Sequence, residues 1–178
     1  MNSANVGNVI FKYVIVVAFV VVFFMYDSAS LGYVSGGPVI NHLLFAFSHV
    51  SILHLVLNSL VLINMFDIVR LRLRVNPIVL FINIFLVSFV SSFLSVGDMP
   101  TVGASGMIYA LFGLYIASMN SLGKPNLVFI SSILFMLVIS YFKKSSNFEI
   151  HFFSLLLSGI CWGIYRVLKK VPSGSASA

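Results

Sequence analysis

Two short polar segments in otherwise apolar stretches of this chain contain residue types that can take part in catalysis. Ser105 belongs to the segment Gly103-Ala104-Ser105-Gly106, which opens one apolar stretch, and His151 lies near the start of another. A serine hydroxyl becomes a strong nucleophile when a neighbouring base takes its proton, and an imidazole commonly acts as that base. The two residues together predict nucleophilic attack on a carbonyl carbon.

The residues around Ser105 favour this interpretation over simple packing. A serine in an apolar helix is more often only a helix-packing residue. Here, however, Gly103 and Gly106 would let the backbone turn sharply and let a neighbouring helix approach closely. The N-terminus of the helix that follows would suit a developing oxyanion. Tyr109, one turn further on, could hold the histidine in place or could simply fill space.

The last apolar stretch indicates which helix His151 would meet. Ser154 and Ser158 follow it at positions i+3 and i+7, so the histidine and two small residues share one helical face. Small residues allow helices to approach closely in a membrane, and we expect the partner to be the helix of Ser105. Taken alone, His151 could equally be a buried histidine bonded to a carbonyl group.

An earlier stretch adds a third polar group. His54 and Asn58 are four residues apart and therefore project from one face of a helix. Both can donate hydrogen bonds to the oxygen that becomes negative during acyl transfer, although a pair of helix-packing hydrogen bonds is the alternative. His49 is five residues before His54, off that face, and we expect it to be structural and to orient the outer loop.

The composition places these residues in a membrane. Of the 178 residues, 60% are hydrophobic and 8% are charged, and the mean hydropathy is +1.11. A soluble domain of this length would need more charge to cover its surface. We therefore predict an all-α membrane protein. The net charge of +6 is explained by basic residues at the ends of apolar segments, so no nucleic-acid partner is expected.

Six apolar stretches are candidates for membrane-spanning helices of roughly 17 to 25 residues. They cover residues 9–26, 50–68, 77–96, 105–119, 127–142 and 149–168. We expect residues 1–171 to form one six-helix transmembrane domain and residues 172–178 to be a short disordered tail.

The basic residues predict the orientation of this domain. Eight of them lie on one side of the six predicted spans: Lys12, Arg70, Arg72, Arg74, Lys124, Arg166, Lys169 and Lys170. Only Lys143 and Lys144 lie on the other side. Because cytoplasmic loops carry the excess of Lys and Arg, both termini are expected in the cytoplasm.

The loop before His151 is polar and consists of Lys143, Lys144, Ser145, Ser146 and Asn147. We expect it to be a mobile lid that admits water and substrate. Metal catalysis is not expected, because a zinc protease would need a motif such as H-E-x-x-H and no glutamate lies near His49 or His54.

The pattern as a whole resembles the rhomboid family of intramembrane serine proteases. The order and spacing agree in three separate helices and over essentially the whole chain. The residues that carry the resemblance are Gly103, Ala104, Ser105, Gly106, Tyr109, His49, His54, Asn58 and His151. It implies a six-transmembrane-helix rhomboid-like bundle whose active site opens to the extracytoplasmic side.

The resemblance also implies a role for each residue and needs no cofactor. Ser105 would be the nucleophile and His151 the general base, in a dyad without a carboxylate. The oxyanion hole would consist of His54, Asn58 and the Ser105 backbone N–H, and Tyr109 would stack on His151. Gly103, Gly106 and His49 would support the site.

The implied partners are membrane-anchored protein substrates and the lipid bilayer, in a bacterial inner membrane. A transmembrane helix hides its carbonyl groups in hydrogen bonds, so a substrate must unwind before attack. We therefore expect helix-weakening Gly or Pro near the cleaved bond.

The chain departs from the family pattern at several positions. Ile40-Asn41 replaces a Trp-Arg pair that is frequent in the first loop, and Ser154 and Ser158 stand where glycines are familiar. These departures suggest a compact branch, and rhombosortase-like trimming of C-terminal Gly-Gly anchor segments is one alternative. A non-catalytic rhomboid-like binder of membrane clients is another, although it would normally lose Ser105 or His151.

Overall fold

The computed structural model of the protein describes residues 3–96, 100–122, 126–143 and 146–170. In this part the chain forms eight α-helices, and a 3-10 turn at Phe45–Phe47 follows the third. They are α1 (Ser3–Met25), α2 (Ser28–Leu31), α3 (Val39–Leu44), α4 (Ile52–Leu73), α5 (Pro77–Phe93), α6 (Ser105–Leu122), α7 (Leu127–Phe142) and α8 (Phe148–Lys170). The predicted tail at 172–178, Lys124, and the lid residues Lys144 and Ser145 lie outside the described residues.

Each of the six predicted apolar stretches coincides with one long helix, and the helical expectation is confirmed. Two helices, Ile52–Leu73 and Phe148–Lys169, are long and apolar enough to cross a membrane, with mean hydropathies of 2.0 and 1.4. Four apolar helical segments are shorter, with 10–17 residues: Ile10–Met25, Pro77–Phe93, Ser105–Met119 and Leu127–Phe142. The fold is therefore built from apolar helices, and the count of six membrane spans stays a prediction.

Polar caps define where three of the long helices begin. The Ser51 hydroxyl accepts a hydrogen bond from the His54 backbone N–H at 3.2 Å at the start of α4. Asn76 and Asn126 accept equivalent bonds at the starts of α5 and α7. Pro77 follows as the first residue of α5, where its missing N–H would have no helical partner. The starts of these helices are therefore set by local sequence.

Helix α6 occupies the centre of the bundle. It packs against α8, α4 and α5, and the consecutive residues 107–111 are each at most 6% exposed. A Cβ atom at Gly113 would lie 3.0 Å from the carbonyl carbon and 3.2 Å from the Cα of Leu155. Helices α6 and α8 are therefore close to backbone contact, and Ser105 and His151 belong to the same tight pair of helices.

The loop after α1 is tied to the segment that precedes α6. Tyr33 and Thr101 exchange two backbone hydrogen bonds of 2.9 and 2.8 Å, and the Tyr33 hydroxyl donates to the Ser95 carbonyl at 2.8 Å. The Asn41 side chain donates to the Gly32 carbonyl at 2.9 Å. The first loop thus obtains its support from backbone hydrogen bonds and an amide side chain.

An ion pair joins α1 to α4. Lys12 is 9% exposed, and its ammonium group contacts the carboxylate of Asp67. On the next turn of α4, Arg72 donates to the Ser118 hydroxyl at 3.0 Å and lies 5.1 Å from the Tyr115 ring centre. The buried charge of Lys12 is therefore paired between two helices. An exposed lysine at a helix end would indicate the orientation of the helix in the membrane more directly.

Candidate active site

A glycine turn places Ser105 at the start of α6. Gly103 has a φ of 115°, in the left-handed region, and its N–H donates to the Phe45 carbonyl at 2.8 Å. A Cβ atom at Gly103 would lie 2.7 Å from Cε1 and 2.9 Å from Nε2 of His54. The backbone conformation favours glycine here, and any side chain would also displace the His54 ring. The turn therefore brings the segment that leads into Ser105 against His54, near the start of α4.

The structure brings the two predicted catalytic side chains together. The hydroxyl oxygen of Ser105 lies 2.7 Å from Nε2 of His151. Ser105 is partly exposed, whereas His151 is 7% exposed. A Cβ atom at Gly106 would lie 3.1 Å from Cγ2 of Ile150 and would collide with the Ser88 hydroxyl. The absence of a side chain at Gly106 is therefore what lets α8 and α5 reach the start of α6.

Tyr109 packs on the face of the histidine ring. The two ring centroids are 4.3 Å apart and the ring planes differ by 17°. Tyr109 itself is 5% exposed, and Phe112 packs edge-on against it with a centroid distance of 5.5 Å. This stack limits rotation of His151 about its side-chain bonds, so that Nε2 stays directed at Ser105.

Three possible hydrogen-bond donors surround the segment before Ser105. The His54 ring lies over Gly103, and the amide nitrogen of Asn58 is 3.7 Å from the position of a Cβ there. Asn58 donates one hydrogen bond to the His54 carbonyl at 2.9 Å, which leaves its second N–H for another acceptor. Because Ser105 is the first residue of α6, its backbone N–H has no acceptor within the helix. The His54 ring and the Asn58 amide thus lie beside Gly103, two residues before Ser105.

His49 lies between α1 and His54. It is 2% exposed, and its ring centroid is 5.2 Å from those of both Phe19 and His54. Burial lowers the pKa of His49 to about 4, and His54 acts in the same direction, while the Phe47 backbone opposes the shift. His49 is therefore neutral at pH 7 and packs Phe19 of α1 against the start of α4.

Ser154 and Ser158 face α6. Both are fully buried, and the Ser158 hydroxyl donates to the Ala110 carbonyl at 2.6 Å. The Ser154 hydroxyl has no hydrogen-bond partner within the described residues. The face of α8 that carries His151 is thus the face that packs on the Ser105 helix.

Sequence reasoning missed Ser140, which contacts the other nitrogen of the histidine ring. Its hydroxyl oxygen lies 2.7 Å from Nδ1 of His151 and 2.9 Å from the Ser146 hydroxyl oxygen. The available signal was a serine at the end of the apolar stretch immediately before the polar loop. Several other serines lie in apolar stretches, so that signal alone did not distinguish Ser140.

Asn147 was assigned to a mobile lid, and the structure shows it with four hydrogen bonds to neighbouring elements. Its side-chain oxygen accepts from the Ile150 backbone N–H at 3.1 Å, which caps α8, and from the Ser95 hydroxyl at 3.1 Å. Its amide group donates to the hydroxyls of Ser95 at 2.8 Å and Thr101 at 2.9 Å. Asn147 thus ties the start of α8 to the segment that leads into Ser105.

The arrangement contains the parts of an acyl-transfer site. It has a hydroxyl in contact with an imidazole, an aromatic ring stacked on that imidazole, and an imidazole and an amide beside the glycine turn that precedes the hydroxyl. Within the described residues, no three His, Cys, Asp or Glu side chains are grouped closely enough to hold a metal ion.

Comparison with protein families gives a match over most of the chain. A family model described as the Rhomboid domain matches residues 36–168. The matched range includes every residue of the site, from His49 to Ser158. No individually curated protein matches the chain.

Proposed function

Because the chain belongs to the rhomboid family, whose members are membrane-embedded and in general intramembrane serine proteases, we propose that it is a serine endopeptidase of this kind. Its substrates are membrane-anchored proteins, cut within or beside their membrane-spanning segments. The observation that carries the proposal is the 2.7 Å contact between the Ser105 hydroxyl and Nε2 of His151.

The reaction begins with proton transfer from Ser105 to His151. As the Ser105 oxygen attacks the substrate carbonyl, Nε2 takes the hydroxyl proton, and the imidazolium then protonates the leaving amine. Water attacks the resulting acyl-enzyme, with His151 again as the base, and the second product is released.

The negative charge on the substrate oxygen is stabilised by donors already present. His54, Asn58 and the Ser105 backbone N–H form the oxyanion hole, supported by the positive end of the α6 dipole. Gly103 provides the room for His54 to approach. Such preorganised donors usually supply a large part of the rate enhancement in acyl transfer.

The placement of the site in the bundle supports an extracytoplasmic opening. Ser105 and His151 lie at the N-terminal ends of α6 and α8, and His54 lies near the N-terminal end of α4. Arg70 and Arg72 lie at the opposite end of α4. With six spans and the basic end in the cytoplasm of a bacterial cell, both termini are cytoplasmic and the site faces the other side of the inner membrane.

Cleavage of a panel of tagged single-span substrates tests the proposal. The panel contains juxtamembrane segments rich in Gly and Ala, and others that end in Gly-Gly. Purified wild type is compared with Ser105→Ala and His151→Ala, and with Ser132→Ala as a control for loss of a serine hydroxyl. Ser132 is exposed on α7 and donates to its own helix, at the Val128 carbonyl.

We expect wild type and Ser132→Ala to cleave, and the Ser105 and His151 variants to be inactive. Undiminished cleavage by Ser105→Ala would refute the assignment of the nucleophile. Preference for Gly-Gly-terminated members would identify rhombosortase-like anchor trimming. A folded wild type that binds panel members and cuts none would identify a client-binding protein instead.

A further inference from the structure

His151 has a serine hydroxyl at each ring nitrogen. Nε2 faces Ser105 at 2.7 Å, and Nδ1 faces Ser140 at the same distance. The three residues come from three helices, since Ser105 belongs to α6, Ser140 to α7 and His151 to α8. The contact of Ser140 is therefore a product of tertiary packing.

Ser140 does not make the hydrogen bond to its own helix that several other serines of the apolar helices make. Ser132 and Ser91 donate to the carbonyl four residues earlier in their own helices, at 2.9 and 2.8 Å, which is the ordinary way for a serine to satisfy its hydroxyl in an apolar helix. The hydrogen bonds of Ser140 in the described part of the chain go to His151 and Ser146. The buried residues of α7 are Ile133 and Ser140. A helix that is otherwise largely exposed thus directs one buried hydroxyl at the site.

The direction of these hydrogen bonds determines whether His151 can act as a base. A neutral imidazole carries one N–H, and its other nitrogen accepts. Nε2 can take the Ser105 proton only when Nδ1 carries the hydrogen. Nδ1–H then donates to the Ser140 oxygen, which can accept it while its own hydrogen is donated to Ser146 at 2.9 Å. This arrangement gives both nitrogens of His151 and the Ser140 hydroxyl a matched partner.

We propose that Ser140 is a positioning residue that accepts the Nδ1–H bond of His151 and keeps the ring in the tautomer in which Nε2 is a base. The proposal rests on the proteolytic function proposed above. A carboxylate has this role in many serine proteases. A hydroxyl fulfils it here without placing a second charge in a buried site, where desolvation of a carboxylate would be unfavourable.

The test compares three substitutions at Ser140 with the control variant Ser132→Ala. Ser140→Ala removes the acceptor, Ser140→Cys keeps the size with a weak acceptor, and Ser140→Thr keeps the hydroxyl. Two quantities are measured. The first is kcat and KM for the best substrate of the panel. The second is the pair of ring ¹⁵N chemical shifts of His151 in protein labelled with ¹⁵N-histidine, assigned with His151→Ala.

In Ser140→Ala we expect kcat to fall about 10- to 100-fold, the effect of losing one buried hydrogen bond from the transition state. KM should stay within about twofold, because the substrate is not contacted. Ser140→Thr should recover most of kcat, and Ser140→Cys should behave like Ser140→Ala. The ¹⁵N spectrum should show hydrogen on Nδ1 in wild type and a mixture of tautomers in Ser140→Ala.

Two results would overturn the proposal. The first is that kcat of both Ser140→Ala and Ser140→Cys lies within twofold of kcat of the control Ser132→Ala. If Ser140→Ala fails to fold, kcat of Ser140→Cys alone decides this point. The other is a His151 tautomer that is the same in wild type and Ser140→Ala, or one that carries its hydrogen on Nε2 in wild type. An inactive wild type would refute the proteolytic function instead, and the ¹⁵N spectrum would still decide the role of Ser140.

Discussion

Gly113 is about two helical turns from Ser105 along α6, at the point where the backbones of α6 and α8 are close to contact. A Cβ atom at Gly113 would collide with the carbonyl oxygen of Leu155 and would lie 3.0 Å from its carbonyl carbon. The obstacle is backbone, so no side-chain rotation can relieve the collision. Gly113→Ala must therefore move α6 and α8 apart.

The size of the effect follows from this geometry. Restoring ordinary van der Waals separation requires a displacement on the order of 1 Å. A displacement of that size at a catalytic contact can lower the rate about 100-fold, and Ser105 and His151 are the residues that α6 and α8 carry. Overpacking of a close interface also lowers the free energy of unfolding by about 1–3 kcal/mol.

Gly159→Ala is the matched control. Gly159 lies on α8 beside α6, and an added Cβ atom would be 3.8 Å from its nearest neighbours, Ala117 Cβ and the Gly113 carbonyl oxygen. Both substitutions give the same gain in helix propensity, which cancels in the comparison. The difference between the two variants therefore reports the collision alone.

The assay combines cleavage of the best panel substrate with thermal unfolding of each variant in the same detergent. We expect Gly159→Ala to match or exceed wild type in stability and to retain activity. Gly113→Ala should lose both. Equal stability and equal kcat/KM in the two variants would refute the inference that near-contact of the α6 and α8 backbones positions the site.

Three further predictions concern packing and charge. The pKa of His49 is lowered from 6.5 to about 4 in the folded protein, so the stability that its neutral form contributes is present above pH 6.5 and is lost as the pH falls toward 4. Between pH 8 and pH 5 the free energy of unfolding of wild type should therefore fall by about 2 kcal/mol more than that of His49→Phe. Unfolding of both proteins at each pH measures this difference. Asp67→Asn removes the negative partner of the buried Lys12 and should lower the free energy of unfolding by about 1–2 kcal/mol, less than for a fully buried pair because the Asp67 side chain is 35% exposed, whereas Asp67→Leu combined with Lys12→Met should recover most of this loss. Tyr109→Phe keeps the ring and should cleave within about threefold of wild type, whereas Tyr109→Ala should lose about tenfold in kcat because the stack on His151 is gone; equal rates in the two variants would contradict a positioning role for the ring.

The helices themselves were predictable because their causes are local. Apolar runs, the caps Ser51, Asn76 and Asn126, and Pro77 act within a few residues of the chain. The flanking glycines and the adjacent helix start that singled out Ser105 are local features as well, and the structure places its hydroxyl against His151. His54 and Asn58 were singled out by their spacing on one helical face, and their role in an oxyanion hole stays a proposal.

Interactions between distant segments were beyond such reasoning. Lys12 was interpreted as a flanking charge, and its partner Asp67 is 55 positions away. Asn147 was assigned to a mobile lid from its polar neighbours in the chain. Its partners Ser95 and Thr101 are 52 and 46 positions away, and the local sequence does not indicate them. Local patterns contain no information about which side chains will meet across the bundle.

The sequence by itself determined an all-α apolar protein, the places of its six long helices along the chain and the starts of α5, α6 and α7, and it singled out Ser105 and His151. Tertiary structure alone decided that α6 and α8 come into near-contact at Gly113, that Lys12 pairs with Asp67, and that Ser140 contacts the remaining ring nitrogen of His151. Periodicity and caps act over one or two turns of a single helix. Contacts between helices depend on how whole surfaces fit, and that fit exists only when the bundle is assembled.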